Sequence, residues 1–469
     1  MQHETSGGKD SRINIPDINI RLPSEIFYEV LTLALAHITS SIGEINTTTP
    51  LALGAVCSWW RGIIWASPLL WTDIKLHISG SRRAETQLSL LRDWISRTHG
   101  QLLSVTIRAD PSVGQMENPY RDCISDILRL ISKISSQWRA IDMDFPMYRA
   151  VRASLSFSGL PNLVSASLCA SSKSDGLPFL FFMQFSDAPQ LRELVLDGAE
   201  AVKRAQILDW KQVEYIHINS CNDYQCPLLL RVTHNARHLK FENIFPMHTS
   251  FSLPLLIHDA ETVEILTDKP DLPISLISRF TFRSLLDLRI LLSCEANRLF
   301  LPPIIALITR SSCPLESLTL KFGCTIPFEE DLIELLRMTT SLTSLNLILP
   351  ASNRETIASG LSERFFKSLY PAESAFVQIL PNLQTLIYEG PLLVSSETLQ
   401  ETLKNRWSPS DASSRIKTNP NANYISRLNT VSIKSYNSLG VQDDCVLALK
   451  ALRDEGMQIS ITMNGETCC

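Results

Sequence analysis

Short runs with apolar residues at every second position alternate along most of the chain with longer runs in which they recur every three or four. Thr72 to Ile78 alternates through Ile74, Leu76 and Ile78, the period of a strand. Ser81 to His99 puts Leu88, Leu91 and Ile95 on one helical face, with Gly100 as the stop. Leu102 to Ile107 is a strand again. Pro119 to Gln137 is a helix through Ile124, Ile127, Leu128, Ile131 and Ile134, and Trp138 to Met143 is the next strand. One phrase then returns: an apolar residue, two others, an apolar, one other, an apolar. It stands at Leu163-Ala166-Leu168, Leu191-Leu194-Leu196, Val213-Ile216-Ile218, Ala236-Leu239-Phe241, Leu285-Leu288-Ile290, Leu315-Leu318-Leu320, Leu342-Leu345-Leu347, Leu383-Leu386-Tyr388 and Leu428-Val431-Ile433. A shifted, weaker copy, Ala260-Val263-Ile265, fills the wide gap between Ala236 and Leu285. Steps run from 22 residues (Leu191 to Val213) to 30 (Leu285 to Leu315), then lengthen to 41 (Leu342 to Leu383) and 45 (Leu383 to Leu428). Pro161, Pro189, Pro314 and Pro381 precede copies of the phrase, and proline is tolerated at a strand's first residue. A helix from Gln442 to Glu455 and a strand from Met457 to Met463 are expected to cap the end.

This phrase resembles the leucine-rich repeat, whose period is ~20–29 residues with one strand and one helix per repeat. The resemblance implies an α/β solenoid, with parallel strands on the inner curve, helices outside, and neighbours sharing one core. Leucine-rich repeats usually carry Asn or Cys three residues after the third apolar position, bonding backbone between coils. Here only Cys221 stands there, so the array is irregular. The other reading is a less regular α/β stack without true repeats. Two segments break the rhythm. The stretch 351–381, with Phe365, Phe366 and Leu369, reads as a helical insertion, and 405–423 reads as a polar, proline-containing loop.

The stretch Arg21 to Trp71 has a different character. Leu22-Pro23 opens a helix, since proline suits the first helical position, and Glu25 suits the positive end of its dipole. Ile26, Phe27, Val30, Leu31, Ala34 and Leu35 form an apolar band wider than packing on one neighbour requires. Thr49-Pro50 repeats the start signal before Leu51, Leu53, Val56 and Cys57. Ser58 leads into Trp59-Trp60-Arg61-Gly62-Ile63-Ile64-Trp65, and Ser67-Pro68-Leu69-Leu70-Trp71 closes the unit. So small a module buries little of its own surface, so it either rests on the rest of the chain or lends a face to a partner.

Leu22-Pro23-Ser24-Glu25-Ile26, Val56-Cys57-Ser58-Trp59-Trp60-Arg61 and Ser67-Pro68-Leu69-Leu70-Trp71, in that order, resemble the F-box, in the form found in the large F-box sets of mushroom-forming fungi. The resemblance implies three helices that dock on the Skp adaptor and, through it, on a cullin scaffold. The chain would then be the substrate receptor of a ubiquitin ligase, acting by raising the effective concentration of its target. Leu22, Pro23, Ile26, Val30, Leu53, Val56, Trp60 and Ile64 would face the adaptor. The alternative is a non-ligase interaction scaffold whose N-terminal helices only cap the array, with Leu22, Ile26 and Trp60 buried. The expected organisation is a flexible tail at 1–20, the helical module at 21–71 and the array at 72–469.

Composition narrows the choice of function. A net charge of −5 offers no basic stripe for nucleic acid. No apolar run approaches the ~20 residues of a membrane span, and the polar first twenty residues lack the apolar core of a signal peptide, so the cytosol or nucleus is expected. There the eleven cysteines, at positions such as Cys57, Cys169 and Cys294, are expected to serve as small buried hydrophobes. The glycosylation pattern at Asn46 has no secretory context. No phosphate-binding loop, nucleophile elbow or H-E-x-x-H occurs, so neither an enzyme nor a cofactor is expected. His234 and His238 are four apart, but His238 falls on an expected strand, so no metal is expected. Cys468-Cys469 resembles a prenylation tail without the GTPase domain that carries one.

The candidate target surface is the outward side of the repeat strands, because strand side chains alternate between faces. It presents Glu193, Val195 and Asp197; Tyr215, His217 and Asn219; His238, Lys240 and Glu242; Asp287 and Arg289; Ser317, Thr319 and Lys321; Ser344 and Asn346; and Thr385 and Glu389. Of these, Glu193, Tyr215, His217, His238, Lys240, Asp287, Arg289 and Lys321 are the candidate target contacts.

Overall fold

The computed structural model describes residues 23–41, 49–78, 83–109, 121–144, 157, 159–169, 179–247, 255–269, 275–293, 300–322, 329–349, 360–370, 379–408, 425–436, 443–463 and 466–467. The expected tail, Leu22, Asn46, Cys294, most of the polar loop and Cys468-Cys469 lie outside them. The chain divides into two compact units, Met1–Ile131 and Ser132–Cys469, so the N-terminal helices share a unit with the first two strands. Among the described residues no helix is long and apolar enough to cross a membrane.

In the first unit α1 (Ser24–Ser41), α2 (Thr49–Gly54) and α3 (Ser58–Ala66) are followed by a 3-10 turn, Pro68–Trp71. Pro23 flanks α1 instead of opening it, its carbonyl accepting from the Phe27 amide at 3.0 Å. Cys57 is half-buried, not a core residue: its sulfur caps α3 by accepting from the Trp60 amide at 3.4 Å. The core gathers Phe27, Leu31, Ile64, Leu70 and Trp71. The Trp71 ring lies 5.7 Å from Trp65 and 4.9 Å from Trp94 between centroids, and its indole N–H donates to the Ile64 carbonyl at 2.9 Å. Gly54 makes room for this clasp, since a Cβ there would stand 2.0 Å from Cζ3 of Trp65. Strand β1 (Asp73–Ile78), helix α4 (Arg83–Arg97), strand β2 (Leu103–Ala109) and helix α5 (Arg121–Lys133) follow, with β1 and β2 parallel.

The second unit alternates strand and helix. Its elements begin with β3 (Trp138–Asp144), β4 (Ser165–Cys169), α6 (Phe179–Ser186), β5 (Glu193–Asp197), α7 (Ala199–Ala205), β6 (Tyr215–Asn219), α8 (Gln225–Leu230) and β7 (His238–Glu242). Next come β8 (Leu256–His258), β9 (Thr262–Thr267), β10 (Phe280–Phe282), β11 (Asp287–Leu292), α9 (Leu301–Ser311), β12 (Ser317–Lys321), α10 (Glu329–Met338) and β13 (Ser344–Ile348). The series ends with β14 (Leu361–Ser362), α11 (Glu363–Leu369), β15 (Thr385–Glu389), β16 (Leu392–Leu393), α12 (Ser396–Trp407), β17 (Thr430–Ser435), α13 (Asp443–Asp454), β18 (Gln458–Met463) and β19 (Glu466–Thr467).

The strands that carry the repeated phrase stack in parallel and in register between two further parallel strands, β3 and β18, in the order β3-β4-β5-β6-β7-β9-β11-β12-β13-β15-β17-β18, with β19 added antiparallel. The weak copy is a full member: Val263 pairs with Leu239 on one side and Leu288 on the other. The second and third apolar positions of each phrase form two buried rows, such as Leu194-Ile216-Leu239 and Leu196-Ile218-Phe241. Successive helices pack beside one another, α9 on α10, α11 on α12 and α12 on α13. Parallel pairs β8–β10 and β14–β16 lie between main strands as separate two-stranded sheets. Helix α11, in the expected insertion, packs against α10 and α12, so it belongs to the regular helix layer.

The prolines do not start strands. Pro161, Pro189 and Pro381 sit at the second position of a four-residue turn that ends on the phrase's first apolar residue, where proline's fixed φ is an advantage. Leu163 N–H bonds Leu160 O at 3.4 Å around Pro161, Leu191 bonds Ala188 around Pro189 at 3.3 Å, and Leu383 bonds Leu380 around Pro381 at 3.2 Å. The third residue of this turn joins the coils. Asn162 Nδ2 donates to Ser136 O at 2.8 Å, Gln212 Nε2 to Ser186 O at 2.8 Å, Asn235 Nδ2 to Lys211 O at 2.7 Å, and Asn382 Nδ2 to Thr340 O at 2.9 Å. Ser341 Oγ does the same to Leu315 O at 2.8 Å. The bonding expected after the phrase therefore stands before it. The thiol of Cys221, at the expected place, stays within its own coil, donating to Asn222 O at 3.5 Å beside Cys226, while its backbone carbonyl accepts from the Phe245 amide of the next coil at 2.9 Å. Replacing Gln212 by alanine is expected to cost about 1–2 kcal/mol, because Ser186 O and Ala188 O both lose their side-chain donor. Chemical denaturation of the single variant measures it, and an unchanged midpoint would count against the ladder's contribution.

Candidate interaction surfaces

Helix α1 carries two apolar stripes. Phe27 and Leu31, four apart, are buried in the core, Phe27 between Trp59 and Trp60 at ring distances of 4.7 and 4.8 Å. The second stripe, Ile26, Val30 and Leu33, recurs at four and three residues and is 50%, 49% and 64% exposed. Val56 is 60% exposed, and Trp59 is exposed while its ring lies against Phe27 on α1. Large apolar side chains thus face water on two of the three helices, a patch of the kind that marks an interaction site.

The residues expected to face a partner divide between surface and core. Pro23, Ile26, Val30 and Val56 are exposed. Leu53 and Trp60 are half-buried and pack against the core. Ile64 is wholly buried and cannot serve as a contact: it lies on the inner side of α3, where its carbonyl accepts from Trp71. Leu33 and Trp59, absent from the expected set, belong to the exposed patch. Continuing the Ile26-Val30 spacing one turn further would have found Leu33.

In the second unit the register brings the candidate target residues onto one open sheet face. Glu193, Tyr215 and His238 align in one row with Thr262 and Asp287. His217, Lys240 and Arg289 align in the next, with Glu264 between Lys240 and Arg289. Lys321 belongs to a third row, opposite Leu291. Many of the polar groups are already partnered within the face. His217 Nε2 meets Glu242 Oε2 at 2.9 Å, Lys240 Nζ lies 3.3 Å from Glu242 and 3.9 Å from Glu264, and Arg289 Nη2 lies 2.7 Å from Asp287. Glu264 was not among the candidates because its copy of the phrase is the shifted one. At the acidic end, Cys169 donates to Asp197 Oδ2 at 3.5 Å, and burial together with Asp197 and Asp144 pushes its thiol up to about 12.

Two histidines are held below their ordinary value. For His217, burial and then Lys240 outweigh the pull of Glu242. For His258 burial dominates, aided by His234 and opposed by Thr233 O and Asp259. The unfolded chain therefore binds protons first as pH falls through 6.5, and stability falls with it. The slope is at most about 1.4 kcal/mol per pH unit for each group. Thermal midpoints are expected to drop between pH 7 and pH 5, and to drop less in His258→Gln. An equal drop in that variant would remove His258 from the account.

A scan against protein-family models matches none, and a search of curated proteins brings up no relative of this chain.

Proposed function

We propose that the chain is the substrate-recognition subunit of a Skp–cullin–F-box ubiquitin ligase. Its N-terminal helices act as an F-box on the adaptor, and the open sheet face of a leucine-rich-repeat-like array holds the target. The observation that carries this reading is the second apolar stripe of α1: Ile26, Val30 and Leu33 face water beside Trp59, while Phe27 and Leu31 hold the core. A helix that only capped the array would bury the stripe, and Ile26 stands half exposed.

Co-purification with the Skp adaptor tests it, comparing wild type with Ile26→Asp, Val30→Asp. Wild type is expected to bind one to one. The double variant is expected to fold, since both positions are exposed, and to lose binding by about 100-fold or more as two apolar contacts become unpaired carboxylates. Absence of wild-type binding would overturn the reading in favour of a scaffold.

A further inference from the structure

Across the middle of the array, the outward position nearest the strands' C-terminal ends forms a row unlike the others. Register aligns Glu242, Leu266, Leu291, Lys321, Ile348 and Glu389 on β7, β9, β11, β12, β13 and β15. Both ends are already partnered: Glu242 pairs with Lys240 and meets His217, and Glu389 pairs with Lys434 at 2.9 Å and accepts from the Tyr436 hydroxyl. Those two partners hold the Glu389 carboxyl below its usual range, the Tyr436 bond first. Between the ends lie three partly exposed aliphatic side chains and Lys321, which is exposed and whose charge is felt by Glu389 without a close ion pair being formed among the described residues. The row is therefore an apolar strip with a single cation in it.

We propose that this strip docks an extended protein segment of the form apolar–x–acid–x–apolar. The proposal rests on the open face being the target-binding surface, and it names what that face selects. The dimensions fit. Leu266 to Ile348 spans three strand spacings, about 14 Å, and an extended chain advances about 13 Å over four residues. Side chains i and i+4 on one face of the segment reach the two ends of the strip, and the carboxylate at i+2, on the same face, meets Lys321. Aliphatic neighbours reduce water around that pair and strengthen it relative to a bare surface pair. The paired carboxylates at both ends disfavour a polyanion such as nucleic acid.

Fluorescence anisotropy with the full chain tests this, using labelled Gly-Ser-Leu-Ser-Glu-Ser-Leu-Ser-Gly. Two control peptides carry Lys in place of Glu, or Ser in place of both Leu. The Glu peptide is expected to bind with a dissociation constant on the order of 100 μM, and both controls about ten-fold or more weakly. Lys321→Glu is expected to reverse the preference between the Glu and Lys peptides, and Leu291→Ser to weaken both. Thermal midpoints equal to wild type confirm that the variants are folded. No saturable binding up to about 1 mM, equal affinity for all three peptides, or an unchanged preference in Lys321→Glu would each overturn the proposal. The Ile26→Asp, Val30→Asp variant is run in the same assay and is expected to bind the Glu peptide as wild type does. Failure of the strip and failure of the adaptor reading are thereby separate results.

Discussion

Replacing Trp71 by alanine is expected to destabilise the N-terminal unit by about 3–5 kcal/mol, the range for emptying a fully buried tryptophan site. The residue is a keystone. Its ring is wholly buried, lies edge-on to Trp65 and Trp94, and carries Arg97 4.8 Å above its centroid. Its N–H satisfies Ile64 O, and its carbonyl accepts from the Trp94 indole at 2.7 Å. Trp71→Ala leaves a cavity that three helices and a turn border, and it takes one of two donors from the Ile64 carbonyl, which keeps the Ser67 amide at 3.2 Å. Trp71→Phe keeps most of the volume and loses the hydrogen bond, so about 1–2 kcal/mol is expected. Urea denaturation followed by tryptophan fluorescence reads both. Two units need not unfold together, and the early transition should move while the late one stays. A shift of under 1 kcal/mol in Trp71→Ala, on the order of a surface substitution, would refute the keystone role.

The second large effect is expected at Arg406. It is wholly buried on α12, and its Nη2 donates to Leu380 O at 3.2 Å and Leu383 O at 2.9 Å, tying the helix to the turn that leads into β15. Nε and Nη1 are buried without a partner, and burial pushes the guanidinium down to about 10. Two effects therefore oppose each other. The charge is costly where it stands, but removing it takes the donor from Leu383 O and one of two donors from Leu380 O. Arg406→Ala adds a cavity to these lost hydrogen bonds and is expected to cost about 2–4 kcal/mol. Arg406→Met refills the volume and relieves the charge, so its cost should be about 1–2 kcal/mol. The order of the two variants is the diagnostic. If methionine were the more damaging, the guanidinium's bonds would outweigh both packing and desolvation.

These residues show how far local pattern carries. Strand positions were legible because alternation is a property of neighbours in sequence: Ile74, Leu76 and Ile78 point inward as expected, and so do the apolar positions of each repeat. The helical module was legible as helices. Its inside was not, because α3 carries five large apolar residues spread over most of its circumference, and periodicity cannot choose among Trp59, Trp60, Ile63, Ile64 and Trp65 for the buried face. That choice belongs to Trp71, seven residues beyond Ile64, which draws Ile64 inward and leaves Trp59 exposed.

The open face divides in the same way. Which residues point outward follows from the phrase in the sequence. Which of them become neighbours depends on register between strands 22 to 45 residues apart, and no local period encodes it. Register placed Glu264 between Lys240 and Arg289, and it assembled Leu266, Leu291, Lys321 and Ile348 into one strip. The coil-to-coil bonds of Asn162, Gln212, Asn235 and Asn382 escaped sequence reading for a related reason. A side-chain amide in a turn looks like any turn residue until the carbonyl of the preceding coil is placed within its reach. The sequence alone determined the alternating α/β order and the direction each strand residue points, since both are local. Tertiary structure decided which apolar residues face water and which outward side chains meet, because both depend on what the rest of the chain brings alongside.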